Sequence, residues 1–110
     1  MDIALEPSND SMIVALSGRL DYATAPDLRA TLSRSIHDGN TRLILDLGRV
    51  PFIDSSGLGA LVGGLKQARD AGGDLRIARP LPEVLDILAL MRLDRILEPY
   101  PSLADALHGF

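Results

Sequence analysis

The chain has 110 residues, 46% of them hydrophobic and 24% charged, a balance that suits one folded domain with its own core and excludes disordered and fibrous classes. The net charge of −4 carries no basic cluster, and the aromatic residues are only Tyr22, Phe52, Tyr100 and Phe110, so there is no footprint for nucleic acid. With no cysteine and two separated histidines, His37 and His108, neither disulfides nor a structural zinc site are expected, and no cofactor motif or other metal set stands out.

The weak apolar run Ile3–Leu5 and the stronger Met12–Leu16 bracket turn residues, Pro7-Ser8-Asn9-Asp10-Ser11, and predict an N-terminal hairpin. Thr24-Ala25-Pro26-Asp27 opens a helix from about Thr24 to Asp38. Thr24 is expected to accept from the N3 amide, and Leu28, Leu32 and Ile36 line one face before a stop at Gly39-Asn40. Leu43–Leu47 is almost continuously apolar and reads as a central strand covered by helices on both faces.

After Val50-Pro51-Phe52-Ile53, a second helix runs through Leu58, Leu61, Val62, Leu65 and Ala68 and ends at Gly72-Gly73. Asp54 is its expected N-cap, with Ile53 and Leu58 spaced as a hydrophobic staple. Leu75–Ala78 is a further strand. A helix starting near Pro82 is carried by Val84, Leu85, Leu88 and Met91, Arg95–Leu97 reads as a last edge strand, and Ser102-Leu103-Ala104-Asp105 starts a short terminal helix. The order β-β-α-β-α-β-α-β-α implies an α/β domain, residues 1–110, with a mixed, mostly parallel sheet and about four helices.

Sites in such sheets lie beyond the C-terminal ends of the strands, where Ile53–Gly57 fall. Asp54-Ser55-Ser56-Gly57-Leu58-Gly59 puts two hydroxyls in the first turn of a helix, where unpaired N–H groups and the positive end of the dipole favour an attached phosphate. Ordinary N-capping by these residues is the competing reading. The Gly-x-Ser-x-Gly elbow of hydrolases is absent because Asp54 precedes the serines, and neither nucleotide-binding glycine pattern is complete, so no enzymatic activity is expected.

Several separated segments resemble the anti-sigma factor antagonists of the STAS family over nearly the full length. They are Gly18-Arg19-Leu20-Asp21 with Thr24-Ala25 and Leu28-Arg29, then Leu43–Leu47 with Val50, Phe52 and Ile53, the signature Asp54–Gly59, and Gly72-Gly73 before Leu75. The resemblance implies a STAS-like fold and a partner switch in which the unphosphorylated protein binds an anti-sigma factor and frees a sigma factor. It implies that the anti-sigma factor is also a serine kinase, that a PP2C-type phosphatase restores the active form, and that Ser55 is the acceptor, with Ser56 second. Asp21, Tyr22, Thr24, Asp54, Ser55, Ser56, Gly57 and Leu58 are then the expected partner-binding residues, although Asp21 and Thr24 also read as turn and cap residues. A phosphate at Ser55 is expected to repel the partner with little refolding of the chain itself.

The alternative is a STAS interaction module without phosphorylation, such as a lipid-transport accessory subunit, a transporter's regulatory domain or part of a stress-sensing assembly. Without a basic n-region or a long apolar run near Met1, the expected location is cytoplasmic, with no direct membrane binding.

Overall fold

A computed structural model describes all residues, Met1–Phe110. Five strands, β1 (Asp2–Ser8), β2 (Ser11–Ser17), β3 (Arg42–Arg49), β4 (Asp74–Ala78) and β5 (Pro99–Tyr100), form one sheet in chain order. Four helices, α1 (Ala25–His37), α2 (Ser55–Asp70), α3 (Pro82–Leu90) and α4 (Leu103–Leu107), alternate with them after the hairpin. Only β1 and β2 pair antiparallel, and the other three pairings are parallel, as the alternation of elements predicts.

The hairpin turn is tighter than the five-residue segment suggests. Ser8 pairs with Ser11, which leaves Asn9-Asp10 as the turn, with Asn9 at φ 54°. Pro7 lies inside β1, which an edge strand tolerates because one side of its backbone has no ladder partner.

Helices α1 to α3 end in the same way. After α1, Asn40 N–H bonds to Ser35 O (2.9 Å) and Gly39 N–H to Ile36 O (3.0 Å), with Gly39 at φ 96°. After α2, Gly73 N–H bonds to Ala68 O (2.8 Å) and Gly72 N–H to Arg69 O (3.0 Å). These are Schellman caps, whose left-handed residue is normally glycine. After α3 the left-handed residue is Arg92 (φ 56°), and the half-buried Leu93 donates to Leu88 O (2.8 Å) while packing on the core.

That third cap explains a misread segment. Arg95–Leu97 is not a strand: the chain leaves α3 in a further turn, Leu97 N–H bonding to Leu93 O (2.7 Å), and pairing with β4 begins only at Pro99. Leu97 is fully buried by its four-residue spacing from Leu93, not by a place in the sheet. In α3 itself Val84 and Leu88 reach the core, while Leu85 and Met91, expected beside them, are exposed and the half-buried Ile87 packs instead. At α4, Ser102 Oγ accepts from Asp105 N–H (3.0 Å) as the capping signal predicts.

The main core lies on one face of the sheet, where Val14, Leu16, Leu43, Leu45, Leu47, Leu75 and Ile77 meet Leu28, Leu32, Leu61, Leu65, Val84 and Leu88. The opposite face of β3 is not matched by a second helical layer, contrary to expectation. Ile44 lies there with Ile13 and Ala78 beneath Ala106 of the five-residue α4, and Asp46 is buried under Arg79. Arg79 grips both oxygens of Asp46 (Nε–Oδ1 3.0 Å, Nη2–Oδ2 2.8 Å), and Gly48 N–H supplies a further bond to Oδ1 at 3.0 Å. A buried carboxylate needs such a partner, so one charged residue occurs inside an otherwise apolar strand.

Candidate functional site

The N-termini of α1, α2 and α3 all follow the C-terminal ends of parallel strands, so the loops before them gather along one rim of the sheet. The loop after β2 and the loop after β3 are zipped together there. Gly18 N–H donates to Arg49 O (3.0 Å), Leu20 N–H to Phe52 O (3.0 Å), and Asp54 N–H to Leu20 O (3.2 Å), with Leu20 and Ile53 forming a parallel bridge. Both of these side chains are buried and anchor the rim in the core.

Asp54 ties the two loops to α2. Its Oδ1 accepts from Gly57 N–H (2.9 Å), the N-cap bond expected from the sequence, and its Oδ2 accepts from Tyr22 N–H (3.0 Å), 32 residues away. One carboxylate therefore caps the helix and fastens the preceding loop. Ile53 and Leu58, on either side of the cap, both belong to the main core cluster, as the staple spacing requires.

Asp21 does for the first loop what Thr24 was expected to do for α1. Thr24 makes no side-chain cap bond; its own backbone is already helical (φ −104°, ψ −22°), a geometry unlike the extended one of an N-cap. Its hydroxyl donates instead to Arg19 O (2.8 Å) and accepts from Asp21 N–H (3.0 Å). Asp21 Oδ1 accepts from Ala23 N–H (3.0 Å) and Thr24 N–H (3.3 Å), so it caps the turn that leads into α1.

Partial desolvation works to raise the Asp21 pKa. The backbone bonds from Ala23 and Thr24, the Thr24 hydroxyl and the Arg19 charge together outweigh it, and the net shift is below the ordinary carboxylate value. A depressed folded-state value means that the stabilisation is fully present above the unfolded value of about 3.9 and is lost as pH falls through the folded one. A carboxyl carbon NMR titration should therefore place the Asp21 midpoint below those of exposed aspartates, and the loop should stay ordered through pH 4. An ordinary midpoint would refute the capping role.

The hydroxyls differ in access. Ser55, the first helical residue of α2, is exposed, whereas Ser56 is half-buried. Since Gly57 N–H is committed to Asp54 and Leu58 N–H to Asp54 O, the Ser55 and Ser56 amides are left as the unpaired donors of the helix start. Tyr22 is 76% exposed beside this point. Gly57 and Leu58, expected as contact residues, are buried in this chain, with Leu58 in the main core cluster.

Two further residues belong to the rim. Arg19 lies over the Phe52 ring, 4.1 Å from its centroid, and 3.6 Å from Asp21 Oδ2. In the sequence Phe52 reads only as part of the approach to α2, and Arg19 only as part of a Gly-x-Leu-Asp segment. The available signal was that one of the four aromatic residues stands two positions before the cap.

Three or more potential metal-binding side chains do not converge anywhere in the chain, and no helix is long and apolar enough to cross a membrane. Fold and rim together define a small α/β domain whose loops after β2 and β3 are bonded to each other at the C-terminal ends of its parallel strands.

The chain belongs to the STAS domain family, whose model matches residues 2–106. An anti-sigma F factor antagonist from Paenibacillus polymyxa is 31% identical over 108 residues, covering 97% of this chain and 92% of that protein. The crystal structure of an anti-sigma factor antagonist from Mycobacterium paratuberculosis aligns with a TM-score of 0.87 at 28% identity, over 96% of this chain and 90% of that one. The Bacillus cell fate determinant SpoIIAA in its phosphorylated form shares the fold, with a TM-score of 0.71 at 24% identity over 91% and 92% of the two chains.

Proposed function

We propose that this chain is an anti-sigma factor antagonist whose docking rim is switched by phosphorylation of Ser55. The observation that carries the reading is the exposed Ser55 hydroxyl at the first position of a sixteen-residue helix, beside the exposed Tyr22 and above a backbone locked by Asp54. A kinase needs an accessible hydroxyl, which favours Ser55 over the half-buried Ser56. Relatives named as anti-sigma factor antagonists, one of them matching nearly the whole chain, support the same role.

In this reading the unphosphorylated rim, built from Asp21, Tyr22, Thr24, Asp54, Ser55 and Ser56, docks an anti-sigma factor that also acts as the serine kinase. The chain works by binding and not by catalysis, and in the cytoplasm a PP2C-type phosphatase resets it. A phosphate adds roughly −1.5 to −2 charges at the middle of the contact surface. The same charge is favourable at its own helix start, where two amide donors are free, so the chain keeps its fold and the partner is expelled.

The test measures binding of the cognate anti-sigma factor by titration calorimetry, with intact mass after incubation with that protein and ATP. Ser55→Ala should bind as the parent does and take up no phosphate. Ser55→Asp should bind about 100-fold more weakly, the scale set by a like charge or unpaired charge in an interface. Phosphate uptake that persists in Ser55→Ala would overturn Ser55 as the acceptor and point to Ser56, while no uptake by the parent together with full binding by Ser55→Asp would overturn the switch and leave a constitutive STAS interaction module.

A further inference from the structure

One cation on the face of α2 has no carboxylate partner. The chain's ion pairs are Arg19–Asp21, Arg69–Asp74 and Arg79–Asp46, and none involves Arg29 of α1. Its guanidinium lies across α2 where two glycines leave room: a Cβ at Gly59 would sit 2.9 Å from Nη2, and one at Gly63 would sit 3.4 Å from Nη1. Ser55, Gly59 and Gly63 are spaced by four and share one face of the helix. Ser55 is thus one turn, about 6 Å along the axis, from the residue on which the guanidinium rests.

We propose that Arg29 receives the phosphate of Ser55 within the same chain, an inference that rests on Ser55 being the acceptor. A guanidinium presents a fork of N–H donors matched to phosphate oxygens, and Arg29 is an exposed residue with a long, flexible stem. The charged groups of the rim, Asp54, Asp21 and Arg19, already have partners. Both Asp54 oxygens accept backbone N–H bonds, while Arg19 is placed between Asp21 and the Phe52 ring. Phosphorylation then changes the rim twice, adding negative charge at Ser55 and withdrawing the positive charge of Arg29. The partner this surface selects places an acidic side chain against the glycine face of α2, where Arg29 is available only while Ser55 is unmodified.

The experiment installs phosphoserine at position 55 during translation, so that it does not depend on any kinase, and follows the phosphate by phosphorus NMR from pH 4 to 9 at low salt. The second pKa, ordinarily about 6, should be lower by about 0.5 to 1 unit with Arg29 than in Arg29→Gln, and intermediate in Arg29→Lys. The field of the helix start and the Asp54 charge are common to all three and cancel. Phosphoserine at position 56, about 100° around the helix, should not respond to Arg29→Gln. Equal midpoints at position 55, or an equal response at position 56, would overturn the contact. A kinase assay that leaves Ser55 unmodified while the midpoint difference persists would instead remove the partner-switch reading alone.

Discussion

Gly57→Ala is expected to destabilise the chain by about 2–3 kcal/mol and to lower its melting temperature by roughly 10 °C. A Cβ at this position would lie 2.5 Å from Leu20 O and 2.8 Å from both Ile53 Cγ1 and Leu20 Cγ. The carbonyl cannot retreat freely, because it accepts from Asp54 N–H across the two loops. Making room separates the loop after β2 from α2 and strains or breaks the Asp54 N–H···O=C and Tyr22 N–H···Asp54 bonds, each worth about 1 kcal/mol or more. The gain of about 1 kcal/mol from replacing a helical glycine by alanine does not offset this. Gly59→Ala is the matched control. Its Cβ would meet only the flexible tip of Arg29, so the helix gain should leave it neutral or slightly more stable than the parent. Thermal and urea melts of the two variants check the pair, and equal stability would show that the rim is looser than its hydrogen bonds imply.

Those two glycines also mark how far the sequence could be read. Elements were legible where the signal is local: apolar runs for β2, β3 and β4, leucine spacing for α1 and α2, and Asp54 as a cap three residues before its donor. Reading failed where packing by other elements, or the backbone conformation of a neighbouring residue, decides. Leu85 and Met91 have the right spacing for a core face, but nothing in α3 reveals that the neighbouring elements cover only Val84, Leu88 and part of Ile87. Arg95–Leu97 has strand-like composition, yet the left-handed Arg92 sends the chain into a turn first. Thr24 looked like a cap because it precedes Ala25-Pro26, whereas Asp21, three residues earlier, has the carboxylate that two turn amides reach. The position of Ser55 at the start of α2 was legible, but the bond from Tyr22 to Asp54 spans 32 residues and leaves no trace in local pattern.

That long-range bond makes Asp54 the residue whose replacement separates two roles. As an N-cap alone, Asp54 should tolerate asparagine, since the two residues are nearly equivalent at that position. In this chain both carboxylate oxygens accept backbone N–H bonds, from Gly57 and from Tyr22, whereas an asparagine amide offers one oxygen and turns its NH2 toward the other donor. Asp54→Asn should therefore lose about 1 kcal/mol and Asp54→Ala about 2 kcal/mol, because the exposed Tyr22 amide can turn to water whereas the Gly57 amide is partly buried. Amide hydrogen exchange identifies which bond survives: if the cap is kept, Gly57 stays protected while Tyr22 exchanges at the rate of an open loop. If the rim docks the partner as proposed, loosening the exposed Tyr22 should lower partner affinity by about tenfold even though Ser55 is unchanged. An Asp54→Asn protein with parental stability, a protected Tyr22 amide and full affinity would reduce Asp54 to an ordinary helix cap and remove the loop strap from the account of the rim.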